Sequence, residues 1–347
     1  MIKAIRKLSK ERKEPEWILR LRLDAWKKFL SLEVPKGEDW KYTDLSNLDL
    51  SSLDFGKSEV RITADDAEQI SLPKESFFEE DKFDALNNAL FSKSVALHVI
   101  NGRIKLDVNI RDWCFAKIFL IVDGDVEIEE KIRGKGNAFL SCFIIVNGRA
   151  DYKYYRLGKG NVFSHKKACI SDNAKFNFIF FETGGKISRL KVESKIGKNS
   201  SSFIKGGFIG RGHQHFNIAT NSIHKDESGK NDVFIKGVLM ERASSAYFGS
   251  AIIEKKAQKS DSYLADHVLL MGEARASSIP SLKIEANDVR AAHSASVSEL
   301  DEEQLFYLMS RGIERKKAEF IAAKAFLSEI KEINNGEIKK IIEAKLS

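Results

Sequence analysis

Between Pro73 and Pro280 the chain contains no proline, so nearly every amide of this interval can donate to a ladder hydrogen bond. From about Ser94 to Asp288 it carries short alternating runs: VALHVI, AKIFLIV, VEIEE, FLSCFIIV, KFNFIFF, SRLKVE, DVFIKGVL and YFGSAIIE. Gly, Asn, Asp and Lys separate them. Alternation of period two over segments this short predicts strands. In KFNFIFF it puts Phe176, Phe178 and Phe180 on one face. Two architectures satisfy the pattern, an antiparallel sandwich or barrel and a parallel solenoid whose rungs stack. No fixed repeat such as a hexapeptide is present, which counts against a regular left-handed solenoid. Texture alone leaves the choice open. The pairs Gly184-Gly185 and Gly206-Gly207 read as turns between strands.

Helical texture flanks this interval. Glu14-Pro15-Glu16 sets a proline where a first helical turn tolerates it and acids where the helix dipole favours them. The following WILRLRLDAWKKFL predicts a helix with Leu19, Leu23, Trp26 and Leu30 on its apolar stripe. After Pro35 and Gly37, the segment from Glu38 to Leu45 reads as a packed turn with buried aromatics. Beyond Val297 the chain is helical again. Asp301 caps a helix starting at Glu302, with Gln304 placed to reach back to the cap. Leu305, Leu308 and Met309 form its stripe and Gly312 ends it. A second helix from about Glu314 to Glu329 carries Ala318, Ile321, Ala322, Ala325 and Phe326. Asn334-Asn335-Gly336 breaks the chain, and Ile338, Ile341, Ile342 and Leu346 then recur at helical spacing. The expected division is residues 1–93 mainly helical, 94–298 a β core and 299–347 a helical tail. A tail this short has no core of its own, so its apolar faces must find the β core or another protein.

Composition excludes several classes. With 347 residues, 43% hydrophobic and 31% charged, the chain can bury a large core and is not of the disordered type. Its first residues, MIKAIRKLSKERKEPEW, lack the apolar centre of a secretory signal. No stretch approaches the roughly 18 apolar residues of a spanning helix. A cytoplasmic protein without a membrane partner is expected. The net charge of +7 is spread among 50 acids, with no RNP-type stretch or finger spacing, so no nucleic-acid partner is expected. Cys114, Cys142 and Cys169 lie far apart in or beside apolar runs and read as buried, inert thiols. The chain therefore does not hold a cluster with four cysteines of its own. It has no GxxxxGK[ST], so ATP hydrolysis belongs to a partner.

Histidines supply the remaining candidates. His213 and His215 on a strand would point to one face and make half of a metal site, with His224 nearby. No acid or cysteine stands at a suitable spacing, however, and GRGHQHF equally reads as a turn. Structural roles are the simpler reading for all three. His293 ends a strand-like segment, where a histidine serves as a hydrogen-bonded structural residue or as a ligand.

The stretch from Pro280 to Gly312 contains Pro280, Leu282, Ile284, Asp288, Val289, His293, Leu300, Asp301, Leu305, Phe306, Tyr307 and Ser310-Arg311-Gly312. In these positions it resembles the carboxy-terminal signature of the SufB/SufD family of iron-sulfur cluster assembly scaffolds. Trp40-Lys41-Tyr42-Thr43 is similar to a motif near the amino terminus of SufD-type chains. The resemblance is strong from about Lys236 onwards and weaker between about Asn101 and Phe216. It implies an irregular right-handed parallel β-helix, flanked by amino-terminal and carboxy-terminal helical segments that would cover the rung edges. It also implies a non-catalytic scaffold that pairs with a SufB-like sister subunit through the β-helix. A SufC-like ABC ATPase would dock on the carboxy-terminal helices, for which Leu305, Phe306, Tyr307, Arg311, Gly312, Phe320 and Phe326 are the expected contacts. His293 would face the sister subunit and serve as an iron or cluster ligand shared with it. The cluster would be transient in the complex, none being held stably by this chain alone, and a reduced flavin would belong to the complex. His215 and His224 match SufD histidines, whereas a further one is replaced by Ser228.

Departures from the family pattern sharpen this expectation. Ala291 and Ala292 fill the segment where SufD chains carry a cysteine two residues before the histidine, and Ser294 stands where SufB chains carry a glutamate. The segment GEARASSIP lacks the SufB thiol. The chain thus resembles the SufD partner, with persulfide chemistry elsewhere. Two alternatives are a homodimeric scaffold without a sister chain and a β-helix enzyme acting on an acidic polysaccharide.

Overall fold

The computed structural model describes all residues except 36, 47, 49, 51, 52, 54–56, 79, 80, 334, 335 and 347, so the expected break at Asn334-Asn335 lies outside the described residues. The chain is a mainly β solenoid of about 8 turns flanked by helices at both ends of the sequence. Two sheets of nine strands enclose its interior. With strands numbered in chain order, the first contains β1 (Glu59–Ala64), β4 (Gly102–Ile110), β6 (Asp125–Gly134), β8 (Arg149–Arg156), β10 (Lys175–Glu182), β12 (Ser201–Gly210), β14 (Lys230–Glu241), β16 (Asp261–Gly272) and β18 (Arg290–Glu299). The second contains β2 (Ala67–Gln69), β3 (Lys93–Val99), β5 (Cys114–Val122), β7 (Ala138–Val146), β9 (Val162–Ile170), β11 (Ile187–Ile196), β13 (His215–His224), β15 (Ser244–Ile253) and β17 (Arg275–Ile284). Among the described residues β1 and β2 alone pair antiparallel, with β4 and β3 respectively, and the other strands stack in parallel.

Parallel register makes columns of like-facing side chains. Ile104, Ile128, Tyr152, Phe178, Ile204, Val233 and Leu264 stand one above another inside the solenoid, each buried. Burial of each such side chain is worth about 1.5–3 kcal/mol. Phe176, Phe178 and Phe180 all face this interior, as their alternation predicts. The pair Gly206-Gly207, expected as a turn, lies instead within β12. A Cβ on Gly206 would come 2.1 Å from the Phe180 ring, and one on Gly237 2.1 Å from Phe208. At these two positions the ring of the preceding rung fills the space that a side chain would need. Gly184-Gly185 does connect β10 to β11, with Gly185 at φ +84.

One charged set in the interior is fully matched. Lys166 Nζ donates to both Glu130 oxygens at 2.9 and 2.6 Å, and Tyr152 OH donates to Glu130 Oε2 at 2.6 Å, all three residues being buried. Removing Lys166 or Glu130 would strand the other's charge at a cost of about 3–5 kcal/mol.

The helices lie along the flanks. Helices α1 (Ile2–Glu11), α2 (Glu16–Ser31) and α3 (Lys82–Leu90) pack on the outer face of the second sheet, where Phe115, Phe139, Phe163 and Ile187 meet Phe29, Trp40 and Phe83. The buried stripe of α2 is Ile18, Arg22, Ala25 and Phe29, and Leu30 of the expected stripe is exposed. The stripe is rotated because Arg22 is satisfied inside. It donates to Glu14 and to the Ala89 and Phe91 carbonyls, and its guanidinium lies 3.6 Å from the Phe91 ring centroid. The carboxy-terminal helices α4 (Glu302–Ser310), α5 (Arg315–Ser328) and α6 (Gly336–Leu346) follow β18. Residues of α5 and α6 pack on the flank of the first sheet, against Tyr155, Phe181, Ile209 and Val238. The rung edges are thus not covered by helices as expected. The first rung is closed by the antiparallel strands β1 and β2, whereas β17 and β18 have no further strand beyond them among the described residues.

Candidate functional site

The open end of the solenoid gathers the chemistry. In β18, His293 aligns with Leu264 and so continues the interior column from Ile104 upward. It is exposed, since no strand stacks on β18 above it among the described residues. The inward positions beside it are small or apolar: Ala291, Ala295 and Val297 align with Ser262, Asp266 and Val268. Across the interior, β17 contributes Ser278, Pro280 and Leu282, which align with Tyr247, Gly249 and Ala251.

Asp266 lies one rung below this mouth. It is 1% exposed, and neither carboxylate oxygen has a hydrogen-bond partner among the described residues. Burial pushes its pKa up to about 7, opposed weakly by the nearby Ser278 hydroxyl, whose oxygen is itself without a partner of normal geometry. Tyr247 OH is committed elsewhere, to Thr220 Oγ1 at 2.8 Å. Sequence reasoning missed Asp266. The signal was there in YLADHVLL, where alternation puts one acid between inward Leu264 and Val268.

Helix α4 emerges directly from this end. Asp301 Oδ1 accepts from the Glu303 and Gln304 amides at 2.9 and 3.4 Å, the predicted cap. The helix ends on Gly312 at φ +83, with the Gly312 amide donating to Met309 O and the Ile313 amide to Leu308 O. This is a Schellman closure that glycine at C′ permits. Leu305 is the buried residue of the helix; Phe306 and Tyr307 are 70% and 58% exposed. Arg311 lies over the Tyr307 ring, and Gly312 is exposed beside it. Phe320 and Phe326 of α5 are half-buried against the sheet flank, Phe326 under Lys236 Nζ at 4.1 Å from its centroid. The expected contact residues thus fall into an outward group on α4 and its end (Phe306, Tyr307, Arg311 and Gly312), the buried Leu305, and a half-buried pair on α5.

The other histidines do not assemble. His213 lies exposed in the turn before β13, off the strand that an H-x-H half-site requires. His215 bonds Thr43 Oγ1 at 2.9 Å and Ser244 Oγ at 2.8 Å, and burial pushes its pKa down to about 4. Asn217 donates to Thr43 Oγ1 and to the Asp39 carbonyl, and Arg189 reaches Asp39 while lying 3.9 Å from the Trp40 ring centroid. The Trp40-to-Thr43 motif is therefore a latch on the second sheet. His224 is buried in a column with Ile196 and Ile253, kept neutral by burial, its pKa pushed down to about 4. Among the described residues no group of three or more His, Cys, Asp or Glu is placed to hold a metal ion. Cys114 and Cys142 are buried and Cys169 partly so, and burial pushes the first two thiols up to about 12. No helix among the described residues is long and apolar enough to cross a membrane.

Residues 120–326 match the family model described as SUF system FeS cluster assembly, SufBD core domain. The iron-sulfur cluster assembly protein SufD of Bacillus subtilis is 38% identical over 123 residues, 35% of this chain and 28% of its own length. SufD of Escherichia coli is 27% identical over 186 residues, 53% of this chain and 44% of its own. The iron-sulfur cluster assembly SufBD family protein of Pyrococcus horikoshii is 28% identical over 186 residues, 52% of this chain and 42% of its own. Each match thus spans less than half of the relative concerned.

Proposed function

The chain belongs to the SufBD family of iron-sulfur cluster assembly proteins, and from that premise we propose that it is a SufD-like, non-catalytic scaffold subunit on whose last rung a nascent cluster is built as cargo. The observation that carries this reading is the asymmetry of the two ends. The first rung is closed by antiparallel strands, while the last leaves β17 and β18 as edges with His293 at their centre. Free strand edges favour pairing with another chain. A SufB-like sister subunit, or a second copy of this chain, is the partner that such an edge suits. Neutral imidazole is a ligand for iron, and mixed His/Cys ligation of clusters is chemically sound, so the partner supplies the thiolates.

An ABC-type ATPase of the SufC kind docks on the outward residues of α4 in this scheme, and its nucleotide-driven closure is passed through α4 to β18. A reduced flavin, if the complex uses one, supplies electrons there and is not a resident of this chain. The reading places the protein in the cytoplasm, where three unpaired thiols persist in reduced form. The test is His293→Ala in a reconstituted complex with sister subunit and ATPase. Complex assembly and the circular dichroism spectrum stay as in the wild type, and cluster yield falls at least about tenfold. Undiminished yield overturns the assignment.

A further inference from the structure

Asp266 has no structural explanation in the fold as it stands. A buried carboxylate is normally paired or hydrogen-bonded, because stranding it costs several kcal/mol (on the order of 2–7 for a polar group). Elsewhere in this interior Glu130 has Lys166 and Tyr152, and Glu182 keeps one bond, accepting from Ser188 at 2.9 Å on Oε2 while its Oε1 is unpartnered. Asp266 alone among the acids of the upper rungs faces inward, 1% exposed, with both oxygens unpartnered. The rung above it is thinned to Ala295, and Ser278 stands across the interior.

His293 sits diagonally above it on the same face, one strand over and two residues back. With strands about 4.8 Å apart and a rise of about 3.3 Å per residue, that diagonal is about 8 Å between Cα atoms. Both positions face the interior from neighbouring strands, and among the described residues neither Asp266 oxygen accepts a hydrogen bond from His293 or from any other group. A carboxylate and a neutral imidazole are the donor set of a borderline divalent metal.

We propose that Asp266 and His293 form a half-site for a divalent transition-metal ion at the solenoid mouth, Asp266 supplying the oxygen and His293 the nitrogen. Two protein ligands leave the remaining positions open to water or to groups from a docked chain, which makes this a loading site and not a closed structural one. That the ion is ferrous iron on its way to a cluster rests on the function proposed above; the site itself does not.

The test is Co(II) titration of the tag-free full chain, followed by its visible d–d absorption. The wild type takes up one Co(II) per chain, and Asp266→Asn and His293→Ala each weaken binding at least about tenfold. His213→Ala leaves it unchanged. Asp266→Asn is nearly isosteric, and a wild-type circular dichroism spectrum shows that it folds. Wild-type affinity in Asp266→Asn, or no Co(II) uptake by the wild type, overturns the site, whatever the cluster yield. The reverse result separates the two readings: weakened Co(II) binding in His293→Ala with full cluster yield overturns the scaffold role of that residue and leaves the metal site standing.

Discussion

His215 bonds hydroxyls through both ring nitrogens, Thr43 on one side and Ser244 on the other, and so ties the amino-terminal latch to β13. Burial lowers its pKa to about 4, with Asp44 opposing the shift. A histidine whose folded pKa lies below its unfolded value of about 6.5 stabilises the fold fully above that value and loses the contribution as pH falls toward the folded one. Between pH 6.5 and 4 the latch is therefore expected to weaken by up to about 3 kcal/mol. Hydrogen exchange at residues 38–43 should accelerate over that window, and His215→Gln should flatten the response. An identical acceleration in the variant would show that another group drives it. This role was half legible in the chain: the Trp40-to-Thr43 motif reads as a packed turn, but the His215 and Asn217 that Thr43 bonds are 172 and 174 residues away, beyond the reach of any local pattern. Arg22 was illegible for a related reason. Helical periodicity treats arginine as outward, and only the Ala89 and Phe91 carbonyls, brought over from α3 and its end, make an inward guanidinium tolerable.

Among elements, strands were the most readable, since one rung's alternation needs no knowledge of the next. Glycines inside them were not, because Gly206 is dictated by Phe180 in the rung before, a neighbour in space only. Helix α4 was legible in its cap and stop, both local devices, but not in its orientation. The stripe Leu305, Leu308 and Met309 was expected to face inward, and only Leu305 is buried, with Met309 39% exposed. An aromatic pair left outward on a helix of nine residues is costly to keep in water and is retained where something covers it. Phe306→Ser with Tyr307→Ser should alter the urea midpoint of the free chain little, within about 0.5 kcal/mol for exposed positions. Capture of the ATPase proposed above should be lost in a pull-down. Capture at wild-type level by a folded double variant would remove α4 from the docking surface.

For the whole molecule, the feature that hid the solenoid is the drift of its rung length. The step from Ile104 to Ile128 is 24 residues and that from Val233 to Leu264 is 31, so no fixed period can appear in the sequence even though every rung is in register. Stacking needs only matched inward faces, and the turns absorb the difference. The same logic explains why the ends differ. A solenoid closes its first rung with whatever precedes it, here β1 and β2 running antiparallel, and must find something for its last. The tail cannot serve, because its apolar faces are spent on Tyr155, Phe181 and Val238 along the flank, and Lys236–Glu329, Lys205–Glu332 and Arg133–Glu337 pin it there. The last rung is left with Ile284 and Val297 each 43% exposed. If this rung is the pairing surface, Ile284→Lys combined with Val297→Lys places two charges where a partner rung would stack. Neither position is buried, so the thermal midpoint of the free chain should hold within a few degrees, about 1 kcal/mol corresponding to 2–4 °C or less at this size. Native mass spectrometry of the double variant should then show only free chain, both with a sister subunit and at high concentration alone. Persistence of the pair in a folded double variant would move the interface off the open end, and with it the reason for a histidine to crown the interior column.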